Sequence, residues 1–106
     1  MASALVRVPA RARRGEVIEI TAMVAHPMET GFRSGENGQV LPRNIVQSFV
    51  CRYDGVEVFR AEFFPAITAN PYIAFSTIAT RSGTLEFRWI DDRGAEVLER
   101  AAIIVE

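Results

Sequence analysis

Lysine is missing altogether: the twelve basic residues are all arginine. That removes Schiff-base chemistry, lysine general bases and the phosphate-binding lysine of a P-loop. Histidine and cysteine occur once each, as His26 and Cys51. One of each cannot close a four-ligand zinc site or supply the two histidines and one cysteine of a blue-copper site. A single cysteine cannot form an internal disulfide either. Positive charge is not in excess, with a net charge of −1, so general affinity for nucleic acid is not expected. No apolar run approaches the ~20 residues that span a bilayer, and no membrane partner is expected. The first residues lack the apolar stretch of a signal peptide. Arg13-Arg14 is followed by Gly15-Glu16-Val17-Ile18-Glu19, which carries charge where a twin-arginine signal needs apolar residues. On these features the chain is expected to be cytoplasmic, or exported by attachment to something else.

What remains is an ordinary globular composition. The 106 residues are 49% hydrophobic and 24% charged, enough to repay the entropy of ordering one domain. We read a single domain over residues 1–106, with residues 1–5 expected to be disordered. Charge is uneven: Arg7, Arg11, Arg13 and Arg14 precede the first acid, and such an arm is read as a solvated end.

Period-two alternation dominates. Ile18, Ile20, Ala22 and Val24 alternate with Glu19, Thr21 and Met23, a half-buried strand that His26-Pro27 ends. Residues 28–44, with Gly31, Gly35, Asn37, Gly38 and Pro42, read as a long loop, and loops of that length are often functional. Strands are predicted over 45–53 and 56–63, joined by Asp54-Gly55, a strong hairpin signal. A second loop runs from Pro65 to Pro71. Strands follow over 72–79 and around Leu85, Phe87 and Trp89. Asp91-Asp92-Arg93-Gly94 reads as a hairpin turn before a strand over 95–105. With Leu5–Val8, that gives about seven strands and an all-β, immunoglobulin-like antiparallel β-sandwich. The Cys-Trp-Cys pinning of antibody domains is absent.

No catalytic constellation assembles. His26 reads as a loop or capping residue, Cys51 as a buried small hydrophobe, and Asp91-Asp92 as turn chemistry. The glycines of the long loop lack the strand-to-helix context of a phosphate cradle. The chain is therefore read as a non-enzyme with no cofactor and no metal. An enzyme using Cys51 with His26 is a rival reading, which needs the two within hydrogen-bond reach. One pattern argues for a protein partner. Val46 and Val50 oppose Phe49 and Cys51, Phe59 and Phe63 oppose Val56 and Val58, and Ile103 and Val105 oppose Ile104. Both sheet faces then read as partly apolar, as if another protein covered one of them.

Several runs together resemble the SoxZ family. They are His26-Pro27-Met28-Glu29-Thr30-Gly31, Pro42-Arg43-Asn44-Ile45, Tyr53-Asp54-Gly55 with Glu57–Ala61, Pro65-Ala66-Ile67, and Ala69-Asn70-Pro71-Tyr72-Ile73-Ala74-Phe75. Ser82–Phe87 leading to Trp89 and Asp91-Asp92 adds to them. The resemblance covers roughly Arg7 to Val105. It implies an immunoglobulin-like sandwich that is the non-catalytic subunit of the SoxYZ carrier of bacterial thiosulfate oxidation. Its partner would be a SoxY-type subunit with a cysteine on a C-terminal Gly-Gly-Cys-Gly-Gly arm, where sulfur stays bound while other Sox enzymes dock transiently. The end Ile103-Ile104-Val105-Glu106 has no such arm, which fits the Z role. The family is periplasmic, and the chain is expected to be exported with its partner.

On that resemblance the two-sided strands are expected to pack on the partner. The loops 26–44 and 64–72 are expected near the arm or the visiting enzymes. The partner-binding residues expected are Met28, Phe32, Arg43, Asn44, Val46, Val50, Phe63, Phe64 and Tyr72. Cys51 is expected to be structural, with an intersubunit disulfide as the alternative. A stand-alone immunoglobulin-like binding module is the alternative to the carrier subunit.

Overall fold

The register of alternating side chains decides which residues meet inside. In the computed structural model, which describes residues 3–65, 67 and 69–106, all regular structure is strand. In order these are β1 (Ala4–Arg7), β2 (Arg11–Ala12), β3 (Val17–Val24), β4 (Val46–Tyr53), β5 (Val56–Glu62), β6 (Tyr72–Ile78), β7 (Gly83–Asp91) and β8 (Glu96–Val105). They form two sheets, ordered β1-β3-β6 and β2-β8-β7-β4-β5. Ile18, Ile20, Ala22 and Val24 of β3 are buried. So are Phe49, Cys51 and Tyr53 of β4, which lie in register with Trp89, Phe87 and Leu85 of β7. The layers meet across these rows as a β-sandwich. Phe49 is its centre, with ring centroids 5.1 Å from Trp89 and 6.1 Å from Phe75. Phe59 and Phe75 stack at 4.3 Å and close one side. Truncating a ring at the position of Phe49 would cost about 3–5 kcal/mol.

Both hairpins stand where the turn residues place them. Asp54 and Gly55 have φ of 48° and 83°, the left-handed pair of a type I′ turn. The Asp54 carboxylate accepts the Thr84 N–H at 2.8 Å and Arg81 Nε at 2.9 Å. Gly83 lies so close that a Cβ there would overlap both carboxylate oxygens. At the other turn the Gly94 N–H reaches the Asp91 carbonyl at 3.0 Å.

Four details differ from the sequence reading. An eighth strand, β2, runs parallel to the end of β8, so the sandwich is not wholly antiparallel; two residues carry no alternation to read. Ala4 and Leu5 are paired with Val24 and Met23, so the expected disorder does not reach them. A bulge between Val46 and Ser48 turns Val46 inward and Gln47 outward. β4 is therefore not two-sided there. A second shift between Cys51 and Arg52 reseats β5, so that Phe59 and Ala61 pair with Cys51 and Phe49 on the core side.

Candidate partner-docking surface

The segment read as a long loop is a narrow ribbon. The Glu29 and Asn44 backbones exchange hydrogen bonds at 2.9 and 2.8 Å, and the Leu41 N–H reaches the Arg33 carbonyl at 2.8 Å. The Gly35 N–H bonds the Gln39 carbonyl at 2.7 Å, and Gly38, with φ of 72°, completes the tip. Gly31, with φ of 88°, packs where a Cβ would be 3.1 Å from that of Arg43. This finger projects from one end of the sandwich. The molecule is 59 Å long, whereas the longest strand, ten residues, spans about 33 Å.

Two acids at the end of β7 hold the finger's root. Asp92 accepts Arg43 Nε at 2.7 Å and Nη2 at 3.0 Å, Gln47 Nε2 at 2.7 Å, and the Ile45 N–H at 3.2 Å. The Arg43 guanidinium is the main cause of the carboxyl's low pKa, about 2, because these bonds favour the charged form. Asp91 takes the other side. Its Oδ2 lies 3.3 Å from His26 Nε2, while His26 Nδ1 accepts the Met28 N–H at 3.0 Å. With Nδ1 as acceptor, neutral His26 donates from Nε2. Asn70 pins the His26 backbone, accepting its N–H at 2.9 Å and donating to its carbonyl at 2.8 Å. The chain thus enters and leaves the finger through bonds to adjacent carboxylates.

The residues expected at a partner surface divide sharply. Phe32 on the finger is 85% exposed, Phe64 65% and Tyr72 64%. Arg43 is half-exposed, but its guanidinium is committed to Asp92. Asn44 is half-buried and pairs with Glu29 through its backbone. Met28, Val46, Val50 and Phe63 are buried within the chain and offer no surface. Met28 and Val46 are core residues joined by the Val46 N–H to Met28 Sδ bond, at 3.2 Å. Phe63 joins the same core. Val50 faces outward but lies in register between Arg60 and Arg88, whose aliphatic stems cover such a position. Ala66 and Thr68 of the 64–72 loop lie outside the described residues.

The two outer faces differ in kind. That of the five-stranded sheet is laced by ion pairs, Arg88–Glu96 at 2.6 Å and Arg100–Glu86 at 2.9 Å. On the three-stranded sheet, Leu5, Met23 and Tyr72 stand in one register row across all three strands. They line a groove of about 590 Å³ with Val8 and Pro9, and Arg7, Glu19 and Thr21 border it.

Cys51 and His26 do not meet. Cys51 is fully buried between Phe59 and Phe87, and burial pushes its thiol up to about 12. His26 sits at Asp91, which is opposite Val46, five residues along β4, or roughly 16 Å. Burial in the core likewise leaves Cys51 no access to an intersubunit disulfide. Among the described residues no group of three or more His, Cys, Asp or Glu is placed to hold a metal.

A family model described as sulphur oxidation protein SoxZ matches residues 6–102. The chain belongs to the SoxZ family. No curated protein matches it. Among solved structures it is similar to a variant of the superoxide reductase (neelaredoxin) from Ignicoccus hospitalis, with a TM-score of 0.77 and 18% identity over 98% of this chain and 80% of that one. It is also similar to the sulfur carrier protein SoxY from Chlorobium limicola f thiosulfatophilum, with a TM-score of 0.69 and 10% identity over 97% and 78% of the two chains. At these identities the likenesses are of fold. SoxZ membership makes the chain a component of sulfur oxidation and supports its reading as a carrier subunit.

In this SoxZ chain the row of Leu5, Met23 and Tyr72 escaped the sequence reading. The signal was present in Met23, an apolar residue on the polar side of β3, but linking it to Leu5 and Tyr72 needs the strand order. The double clamp of Asp91 and Asp92 joins residues 45 to 65 positions apart and has no local signature.

Proposed function

We propose that this SoxZ chain is the non-catalytic subunit of a sulfur-compound carrier heterodimer. It pairs with a SoxY-type subunit that bears the cargo cysteine, and works in the periplasm after export with that partner. The reading rests on family membership, and one observation gives it a surface. The outer face of the three-stranded sheet carries Leu5, Met23 and Tyr72 in one row, where the opposite face carries ion pairs. Apolar rows of this kind mark contact surfaces, and aromatic and methionine side chains are enriched in them. This face replaces β4 as the proposed contact with the cysteine-bearing subunit. The exposed Phe32 and Phe64, at the finger end, are assigned to the Sox enzymes that visit in turn. A second protein fits the chemistry: a thiol that must reach several active sites needs a mobile tether, and a rigid sandwich supplies the fixed recognition surface that a tether lacks.

The test is native mass spectrometry of the chain purified from its host. A one-to-one complex with a small protein bearing a C-terminal cysteine supports the reading, and Met23→Arg should dissociate it while the chain stays folded. Phe32→Ala should leave the complex intact and slow turnover by a Sox enzyme. Recovery of the chain alone would leave a stand-alone binding module, the other reading the fold allows.

A further inference from the structure

Among the described residues, each open strand edge is guarded except one. β1 is four residues long and ends in Arg7, and β2 is two residues with Arg11 paired to Glu106 at 2.6 Å. β5 carries Glu57, Arg60 and Glu62 and a register shift. Short length, charge and bulges are the devices by which sheets avoid unwanted pairing. β6 has none of them. Its seven residues, Tyr72-Ile73-Ala74-Phe75-Ser76-Thr77-Ile78, contain no charge and no proline. Its ladder to β3 is uninterrupted from Ile78 opposite Val17 to Tyr72 opposite Met23, and it is the last strand of its sheet.

A cleft lies beside that edge. It has a volume of about 460 Å³ and is lined by Val56 and Val58 of β5, Thr77 and Ile78 of β6, and Tyr53, Thr80 and Arg81. Its wall is mainly apolar. Backbone groups without a strand partner and an adjoining apolar cleft are the two halves of strand-addition recognition. We propose that the β6 edge binds an extended, uncharged segment of another protein as an added strand, whose alternate aliphatic side chains enter the cleft between β5 and β6. This site is on the side of the sandwich and does not depend on the carrier reading.

Two arguments select such a segment over a second copy of the chain. In a pairing of β6 with β6, the inward side chains would be Ile73, Phe75 and Thr77. Phe75 is already buried in its own core against Phe59, so the cleft would stay unfilled. The contact would also be small. Seven residues span about 23 Å, and a sheet edge about 10 Å deep gives roughly 230 Å² per partner, against about 800 Å² per partner in a stable complex. Charge agrees, because β6 is uncharged and Arg81 at the cleft is committed to Asp54 at 2.9 Å, which leaves a charged strand without free counter-charges.

The test pans a phage-displayed library of random decapeptides against the full chain. A recovered peptide is then synthesised and titrated while the backbone amides of the chain are followed by NMR. The expected peptide has aliphatic residues at alternate positions and shifts the amides of residues 72–78 and 56–58. N-methylation of one alternate set of its amides should weaken binding at least ten-fold, and methylation of the other set should not. Val58→Arg should weaken it to a similar degree, and Phe32→Ala should leave it unchanged. The proposal is overturned by selection of no peptide, by binding that maps elsewhere, by insensitivity to both methylated sets, or by a concentration-dependent dimer that protects the β6 edge.

Discussion

Replacing Asp92 with asparagine removes one charge from the finger's root and leaves its shape nearly unchanged. The carboxylate takes four hydrogen bonds, two of them from Arg43, and its pKa falls from the ordinary 3.8 to about 2. At about 1.4 kcal/mol per unit that is on the order of 2.5 kcal/mol. Arg43 is half-exposed, so solvent screening reduces the expected loss to about 1–1.5 kcal/mol. For a domain of this size the melting temperature should drop by roughly 4–10 °C. The pH dependence gives the sharper check. A depressed pKa stabilises the fold fully above pH about 4, where the carboxylate is charged in both states. The contribution fades as pH falls toward 2, because the unfolded chain takes up the proton first. Urea unfolding of wild type and Asp92→Asn at pH 7, 4 and 2 should therefore show a gap at pH 7 that shrinks by pH 2. The amides of Glu29, Leu41 and Asn44 should exchange faster in the variant at pH 7. A gap that stays constant down to pH 2, or no gap at pH 7, would refute the clamp.

Three further outcomes are expected. Cys51 should resist a thiol reagent at pH 8 in the native chain and react only along the urea unfolding transition; fast native labelling would contradict its sealed position. Gly83→Ala should destabilise by about 1–3 kcal/mol, as its Cβ displaces the Asp54 carboxylate from Thr84, and calorimetry showing an unchanged melting temperature would count against that packing. Tyr72→Glu should abolish pairing with a cysteine-bearing subunit in size-exclusion chromatography while leaving the circular dichroism spectrum unchanged.

Much of the scaffold could be read from local pattern. Asp54-Gly55 and Asp91–Gly94 marked both hairpins, because left-handed backbone needs those residue types. Ile18, Ile20, Ala22 and Val24 marked a strand with one buried face. The docking surface was harder. Strict alternation sent Val46 outward, and the bulge at Val46–Ser48 turned it in, because an extra residue reverses every side chain before it. Val50 does face outward, but arginines on both neighbouring strands cover it. Phe32 and Tyr72 stand exposed, as a partner contact requires. Arg43 was expected among the partner-binding residues; its bonds to Asp92 mean that Arg43→Ala would act by freeing the finger.

The finger's attachment has a mechanical consequence. Its two rails run about 23 Å from root to tip and share few bonds along the way, so direction is set almost wholly where Asp91 and Asp92 grip them. Over that length a tilt of 10° at the root would swing the tip by roughly 4 Å, more than the reach of a hydrogen bond. The adjacent acids act as a gimbal lock, taking one rail each. A small change there would re-aim Phe32 while the sandwich stays folded, at the modest cost in stability expected for Asp92→Asn.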